Sequence, residues 1–248
     1  MANPPVATTH TTNTQEIQEL KRPANAGPLR AVVFDLDVTL VDSLPITIEG
    51  FNAACARFGG RDYSRDEIMA HFGPGESQIF ARLVGAQNAN DAYRIYREYF
   101  DENIERVKLH PGVDRVLTEL SARNIPMAIF TGRGQATTQS ILKALNLTDL
   151  FADVVTYNHV TAHKPSPEGL LKACQTLGLE PQSVAMVGDS PSDIKAARSA
   201  RAAGIAAAWD AWTPHEKLRE AGPHHWANTP ASVIEYLESQ GLRPAVNN

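Results

Sequence analysis

Five short apolar runs alternate with helical segments in this chain, and no other sequence feature constrains the fold as strongly. The runs cover residues 31–34, 125–130, 154–157, 183–187 and 205–209. Continuous apolar runs of this length, rich in β-branched residues, are typical of strands buried on both faces of a sheet. Because segments with helical periodicity separate most of them, the pattern predicts an α/β fold with a parallel sheet covered on both faces.

Residues 43–107 interrupt this alternation with helical patterns alone. Ser43 is a candidate N-cap for the first helix, and Ser64 with Glu67 matches a capping box for the second. The stretch Gly73-Pro74-Gly75 is either a loop that reaches a substrate or only a turn between helices. The sequence therefore predicts an all-helical insertion directly after the first strand.

These patterns divide the chain into three parts. Residues 1–28, which are rich in Thr, Asn, Pro and Ala, are predicted to form a disordered tail. Residues 29–42 and 108–248 are predicted to form the α/β core domain, and residues 43–107 the inserted helical domain. The boundaries follow the points at which the hydrophobic pattern changes.

Composition excludes several classes of partner and site. The formal net charge is −5, from 28 acidic and 23 basic residues, so neither nucleic acid nor a membrane is an expected partner. The sequence contains two cysteines, Cys55 and Cys174, outside any C-x-x-C pattern, which argues against a zinc site. No segment matches a membrane span or a secretion signal, so we expect a cytoplasmic protein. Nothing in the sequence indicates an oligomeric state.

Four loops that follow predicted strands carry the polar residues best suited to chemistry. They contain Asp35 and Asp37; Thr131 with Gly132 and Arg133; Lys164; and Asp189 with Asp193. The carboxyl ends of parallel strands meet at one edge of a sheet, where ligands bind in open α/β folds. We therefore expect these residues to surround one crevice although they are distant in sequence.

The residue types suit phosphoryl transfer. A carboxylate that attacks a phosphate dianion is repelled by about 4 kcal/mol per unit-charge pair at close range, so the site needs positive charge. Lys164 supplies one charge, and Mg²⁺ bound by Asp35 and Asp189 can supply more. Thr131 offers a hydroxyl for the transferring oxygens. Asp37 can protonate the leaving oxygen and later deprotonate water.

This set of motifs resembles the four-motif signature of the haloacid dehalogenase-like superfamily. The matching residues are Asp35-Leu36-Asp37-Val38-Thr39, Thr131, Lys164-Pro165, and Gly188-Asp189 with Asp193. The resemblance spans about residues 29–240 and implies a Rossmann-like, doubly wound parallel sheet with an inserted helical cap domain over residues 43–107. The stretches 40–43 and 187–194 resemble the branch that holds phosphoglycolate phosphatases and a related pyrophosphatase.

The resemblance also implies a role for each site residue. Asp35 would be the nucleophile that forms an aspartyl-phosphate, and Asp37 the general acid and base. The implied Mg²⁺ ligands are Asp35, the Asp37 carbonyl and Asp189, with Asp193 supporting the metal shell. The implied phosphate-binding residues are Thr131, Gly132, Arg133 and Lys164. The expected partner is a small phosphorylated metabolite, for instance a phosphoglycolate-like phosphomonoester or pyrophosphate.

Some functions within the superfamily remain open and others are excluded. A dehalogenase needs no second acid, so Asp37 favours phosphoryl transfer. Phosphonoacetaldehyde hydrolases use a cap lysine, whereas residues 43–107 contain none. A hexose-phosphate mutase of the β-phosphoglucomutase type and a catalytically silent binding module remain alternatives. In the cap, Arg57, Arg61 and Arg82 are candidates for binding an anionic substrate tail.

Val38 departs from the family pattern, which has glycine at this position in most members. Glycine permits backbone angles that a β-branched residue avoids. If the site requires a positive φ, Val38 is expected to be strained.

Overall fold

The structure, a computed structural model, describes residues 19–23, 26–73 and 75–244. The strands are β1 (Ala31–Phe34), β2 (Val41–Asp42), β3 (Lys108–Leu109), β4 (Met127–Phe130), β5 (Asp153–Val155), β6 (Val184–Gly188), β7 (Ala203–Ala207) and β8 (His225–Ala227). The helices are α1 (Leu44–Ala56), α2 (Arg65–Met69), α3 (Glu76–Val84), α4 (Ala89–Glu102), α5 (Val113–Ala122), α6 (Gln135–Ala144), α7 (Glu168–Leu177), α8 (Pro191–Ala200), α9 (His215–Glu220) and α10 (Pro230–Ser239). Within the described ranges, no helix combines the length and the apolar character that crossing a membrane requires.

Six strands form one parallel sheet in the order β5-β4-β1-β6-β7-β8. Val33 in β1 lies opposite Ala128 of β4 on one side and Met186 of β6 on the other. Strand β1 therefore has a hydrogen-bonded neighbour on each side. A crevice forms where the carboxyl ends of β1, β4 and β6 meet. The α/β fold with a Rossmann-like parallel sheet is confirmed.

Both faces of the sheet are covered, which explains why the strands are continuously apolar. Ala31 and Val33 pack with Leu170 of α7 on one face. Val32 belongs to the core on the other face, which includes Leu117 of α5. Successive residues of a strand point to opposite faces, so a strand between two helical layers needs apolar side chains at every position.

The helical insert, which comprises α1–α4, is joined to the core through β2 and β3. These two strands pair antiparallel, with Val41 opposite Leu109 and Asp42 opposite Lys108. The chain therefore leaves the core and returns to it at adjacent points. Strands this short give no periodic signal, and the sequence did not predict them.

Four buried aromatic side chains form the centre of the helical insert: Phe51 of α1, Phe80 of α3, and Tyr96 and Phe100 of α4. The ring centroid of Phe51 lies 4.6 Å from that of Phe80 and 4.8 Å from that of Tyr96. The ring centroids of Tyr96 and Phe100 lie 5.8 Å apart. Aromatic contacts of this kind dominate the packing of small cores. They fix the positions of α1, α3 and α4 relative to one another.

The amino-terminal segment differs in part from the expected tail. Residues 1–18 and 24–25 lie outside the described residues. The described residues contact the core, since the Leu20 amide donates to the Pro223 carbonyl at 2.9 Å. The Trp226 amide in β8 donates to the Glu19 carboxylate at 2.7 Å, and Arg22 donates to the Gln182 carbonyl at 2.7 Å. The sequence prediction also missed β8, because a three-residue edge strand carries too little pattern, and it assigned no helix at α9 or α10.

Val38 adopts a left-handed backbone conformation with φ of 65°. Its amide donates to the Val41 carbonyl at 2.9 Å, and its side chain is buried. This conformation brings Cβ close to the following carbonyl oxygen, which costs a residue other than glycine about 1–2 kcal/mol. The position thus has the positive φ that the glycine of the family pattern suggested.

Val38→Gly should destabilise the protein by about 1–2 kcal/mol less than Val41→Gly. Both changes remove a buried valine, worth about 1.5–3 kcal/mol, and add backbone freedom worth about 0.5–1 kcal/mol. Only the change at Val38 also releases about 1–2 kcal/mol of strain, because Val41 has no positive φ. Urea denaturation of the two variants measures the difference, and equal losses would contradict strain at Val38.

Candidate active site

The carboxyl ends of β1, β4 and β6 bring distant polar residues to one cavity of about 360 Å³. Asp35, Thr131 and Asp189 directly follow these three strands. Lys164 reaches the cavity from the loop between β5 and α7, and Asp37 lines it beside Asp35. The structure therefore brings together the residues that the strand-end pattern predicted would converge.

Three carboxylates lie close together, and two of them, Asp35 and Asp189, line this cavity. Asp35, Asp189 and Asp193 offer oxygen atoms that all lie within 4.8 Å of one another. Asp193 is fully buried and Asp35 nearly so. A set of carboxylate oxygens at this spacing fits a hard divalent cation, which prefers oxygen ligands.

Lys164 provides the positive charge nearest to these carboxylates. Its Nζ lies 2.7 Å from Oδ1 of Asp35 and 2.6 Å from Oδ1 of Asp193. Burial alone lowers the pKa of Lys164, but the charges of Asp193 and Asp35 outweigh burial and raise its pKa above the usual range. The lysine therefore stays protonated and offsets part of the negative charge.

Besides burial, the negative charge that Lys164 does not offset contributes to raised pKa values of the neighbouring carboxyl groups. Burial raises the pKa of Asp35 to about 7, against the opposing effect of Lys164 and with a further increase from Asp193. Burial and the charge of Asp35 also hold the pKa of Asp189 well above its usual range. Loss of water and crowding of like charges both disfavour ionised carboxylates. A bound cation would remove this penalty.

Asp193 is positioned by the start of α8 and does not itself line the cavity. Its Oδ2 accepts from the Ser190 amide at 3.0 Å, and the Ser190 hydroxyl accepts from the Asp193 amide at 3.3 Å, which forms a capping box. A Cβ at Gly188 would lie 2.4 Å from Cγ of Asp193. Glycine is therefore required at 188, because the carboxylate lies against the backbone there.

Arg133 is buried and joins Asp37 to the helical insert. Its Nε lies 3.0 Å from both carboxylate oxygens of Asp37, and its Nη2 donates to Oδ1 at 2.8 Å. Nη2 also donates to Thr47 of α1 at 2.9 Å, and Nη1 donates to the Tyr96 hydroxyl of α4 at 3.1 Å. The residue expected to bind phosphate thus lies in the cavity wall with most of its donors directed to protein acceptors.

Two neighbouring residues orient the same region. Ser43 stands at the N-cap position of α1, as predicted, but its side chain makes no capping hydrogen bond. Its hydroxyl donates to Asp37 instead. Thr131 is buried, and its Oγ1 accepts from the Arg133 amide at 3.1 Å. Gly132 lines the cavity between them.

The helical insert contributes cavity residues that the sequence did not reveal, including Glu76 at the start of α3. The Glu76 Oε1 accepts from the Gly134 amide at 3.1 Å and from Thr137 Oγ1 at 3.0 Å. The sequence signal that could have indicated Glu76 was the stretch Gly73-Pro74-Gly75 directly before it. Gly73 lines the cavity, which favours the loop interpretation, and Pro74 lies outside the described residues.

A comparison with family models agrees with this geometry. The model described as haloacid dehalogenase-like hydrolase matches residues 32–208, which include all the site residues named above. The chain belongs to this family.

This haloacid dehalogenase-like hydrolase is similar to proteins named as phosphatases. It is 33% identical over 191 residues to a phosphoglycolate phosphatase of Chromobacterium violaceum, over 73% of this chain and 86% of that relative. It is 29% identical over 182 residues to pyrophosphatase PpaX of Bacillus cereus, over 73% of this chain and 84% of that relative. The expected enzyme class, a phosphatase, is confirmed.

Solved structures agree with the fold of the hydrolase. The crystal structure of a predicted phosphoglycolate phosphatase from Haemophilus somnus has a TM-score of 0.74 at 26% identity, covering 84% of this chain and 97% of that one. CbbY from Rhodobacter sphaeroides, in complex with phosphate, has a TM-score of 0.73 at 22% identity, covering 83% of this chain and 96% of that one. The second likeness concerns the fold alone.

Added Mg²⁺ should raise the Tm of this hydrolase more at pH 8 than at pH 6. With its pKa raised to about 7, Asp35 is mostly ionised at the higher pH and mostly protonated at the lower one. At pH 6 the cation must therefore displace a proton. Without a cation, the stability of the protein should instead be higher at pH 6 than at pH 8. The raised pKa of Asp35 contributes fully to folding stability below the unfolded pKa near 4, and this contribution is lost as the pH rises through about 7.

Thermal denaturation with and without Mg²⁺ at both pH values measures this effect. Asp189→Asn should abolish the shift, whereas Asp149→Asn, at an exposed position outside the cavity, should retain it. An equal Mg²⁺ shift at both pH values would be inconsistent with a protonated Asp35 competing with the cation.

Proposed function

We propose that this chain is a Mg²⁺-dependent phosphatase that hydrolyses a small phosphomonoester through an aspartyl-phosphate on Asp35. The observation that carries the proposal is the arrangement at the end of β1, where Lys164 contacts Asp35 at 2.7 Å and Asp189 lies alongside. The names of the relatives, phosphoglycolate phosphatase and pyrophosphatase, support a small phosphorylated substrate.

In the first proposed step a carboxylate oxygen of Asp35 attacks phosphorus, and the bond from phosphorus to the leaving oxygen breaks. Lys164 offsets the charge that the phosphoryl group brings into the buried site. In this proposal the Thr131 hydroxyl and the amide of Gly132, which both line the cavity, bind phosphoryl oxygens. Mg²⁺ bound by Asp35, Asp189 and the Asp37 carbonyl, with Asp193 supporting this shell, would supply further positive charge.

Asp37 is proposed to move the proton in both steps. It protonates the leaving oxygen in the first step, and in the second step it takes a proton from the water that attacks the aspartyl-phosphate. Arg133 and Ser43 hold the carboxylate in one orientation. A carboxylate fixed in this way is positioned for proton transfer without prior rearrangement.

We further propose that residues 43–107 act as a cap over the core of residues 29–42 and 108–248. Contacts between the two support a closed arrangement, since Asp101 accepts from Ser140 at 2.6 Å and Glu76 accepts from Gly134. Closure excludes bulk water, which strengthens every electrostatic interaction in the cavity.

The two alternatives depart from this proposal at different steps. A mutase of the β-phosphoglucomutase type would return the phosphoryl group to a second hydroxyl, and a silent module would form no aspartyl-phosphate. The comparisons do not favour either alternative.

Asp35→Asn should lower phosphate release by at least about 10³-fold, because a catalytic unit without its nucleophile keeps only residual activity. EDTA should abolish the release by the unmodified protein, and added Mg²⁺ should restore it. A phosphate-release assay measures both effects, with Asp149→Asn as the control at an exposed position. Metal-independent activity that survives Asp35→Asn would refute the proposed mechanism.

Asp37→Asn should separate the two chemical steps. With p-nitrophenyl phosphate the leaving group departs without needing a proton, so phosphorylation of Asp35 is retained. Attack by water needs a base and should slow by about 10²–10⁴-fold. Stopped-flow measurement should show a burst of about one p-nitrophenolate per enzyme before slow turnover. The exposed substitution Asp66→Asn should keep ordinary turnover, and loss of the burst in Asp37→Asn would contradict the role given to Asp37.

A further inference from the structure

The proposed catalytic cavity has two chemically different halves. The core supplies carboxylates, Lys164 and Arg133, whereas the helical insert supplies mainly apolar side chains. The apolar residues of the insert that line the cavity are Leu44, Phe51, Met69, Phe72 and Ile79. The phosphoryl group belongs with the core residues, so the rest of a substrate must face the insert.

The described part of the helical insert offers no lysine or arginine to this cavity. Of the arginines that the sequence suggested for an anionic tail, Arg57 and Arg82 are exposed and do not line it. Arg61 also lies outside the lining and is ion-paired with Glu67. On the core side, Arg133 is paired with Asp37 and Lys164 with Asp35.

The polar groups of the insert are also engaged. The hydroxyls of Thr47 and Tyr96 both accept hydrogen bonds from Arg133. Backbone N–H groups at the start of a helix favour an anion. At α6 this place is taken by Glu76, whose carboxylate accepts from the Gly134 amide at 3.1 Å and from Thr137 at 3.0 Å. A substrate carboxylate there would meet a like charge instead of a donor.

We propose that the substrate is a phosphomonoester of an uncharged, largely apolar alcohol, and that Glu76 discriminates against substrates whose leaving group is anionic. This inference rests on the proposed phosphatase function. Burial against apolar walls favours an uncharged group, whereas a carboxylate or a second phosphate on the insert side would be desolvated beside Glu76 without a lysine or arginine of the insert to pair with. Phosphoglycolate and pyrophosphate, named for the relatives, both have such charged leaving groups.

The test compares butyl phosphate with phosphoglycolate as substrates of the Mg²⁺-loaded protein. We expect kcat/KM to be at least about tenfold higher for butyl phosphate, which corresponds to about 1.4 kcal/mol of discrimination. Both are esters of alkyl alcohols, so the comparison changes mainly the charge and the apolar area of the leaving group. An equal or higher kcat/KM for phosphoglycolate would overturn the inference.

Two variants test whether Glu76 is the discriminating residue. Glu76→Gln keeps the shape and removes the charge, so the preference for butyl phosphate should narrow by about tenfold, chiefly through a lower KM for phosphoglycolate. Phe72→Lys adds a cation at the partly exposed rim and should narrow the preference in the same way. Glu98→Gln, on the exposed face of α4, is the matched control and should leave the preference unchanged.

An unchanged preference in Glu76→Gln would overturn the role of Glu76, and an unchanged preference in Phe72→Lys would contradict the placement of the leaving group against the insert. Hydrolysis of p-nitrophenyl phosphate tests the proposed phosphatase function separately. If that compound is hydrolysed with Mg²⁺ while phosphoglycolate is preferred over butyl phosphate, the phosphatase proposal stands and the substrate inference fails. If neither p-nitrophenyl phosphate nor any of the esters is hydrolysed, both fail.

Discussion

Three carboxylates lie close together, two of them buried, and they impose the main physical demand on this structure. Asp35 and Asp189 directly follow the neighbouring strands β1 and β6, Asp193 lies in the first turn of α8, and their repulsion in a site with little water must be offset. Lys164, from the loop that follows β5, offsets part of this negative charge. Its Nζ lies 4.7 Å from the centroid of the Phe130 ring, a cation–π contact. The strand order matters because it places β6 directly beside β1.

The same demand explains features away from these three carboxylates. Asp193 is held by the capping box of α8, so the helix start and the ion pair with Lys164 depend on one side chain. Gly188 leaves space for that side chain. Removing any one of these parts would leave a buried charge without its partner, which is costlier than losing an exposed ion pair.

Arg133 extends this network from the core into the helical insert. A single guanidinium contacts the carboxylate of Asp37, the hydroxyl of Thr47 and the hydroxyl of Tyr96, and it lies over the ring of Phe100 at 4.9 Å. In the proposed mechanism, the orientation of the general acid and base therefore depends on where α1 and α4 lie. The proposed mechanism thus couples the position of the helical insert to proton transfer through Arg133.

The core of the site could be predicted because its residues follow strands whose apolar pattern is local and clear. Asp35, Thr131 and Asp189 needed only the parallel arrangement to converge. Glu76 and the partners of Arg133 could not be predicted, because they depend on how the insert packs against the core. Ser43 shows the same limit: its position at the start of α1 was evident from sequence, but its hydrogen bond to Asp37 was not.

The pairing of β2 with β3 has a consequence for how such a chain can change over time. Val41 lies opposite Leu109, so the polypeptide leaves and rejoins the core at points about 5 Å apart. Closing a loop across so short a gap depends only weakly on the length of the loop. The insert can thus change in length and sequence without separating β2 from β3, provided that a new insert still offers acceptors to Arg133, the residue that contacts Asp37.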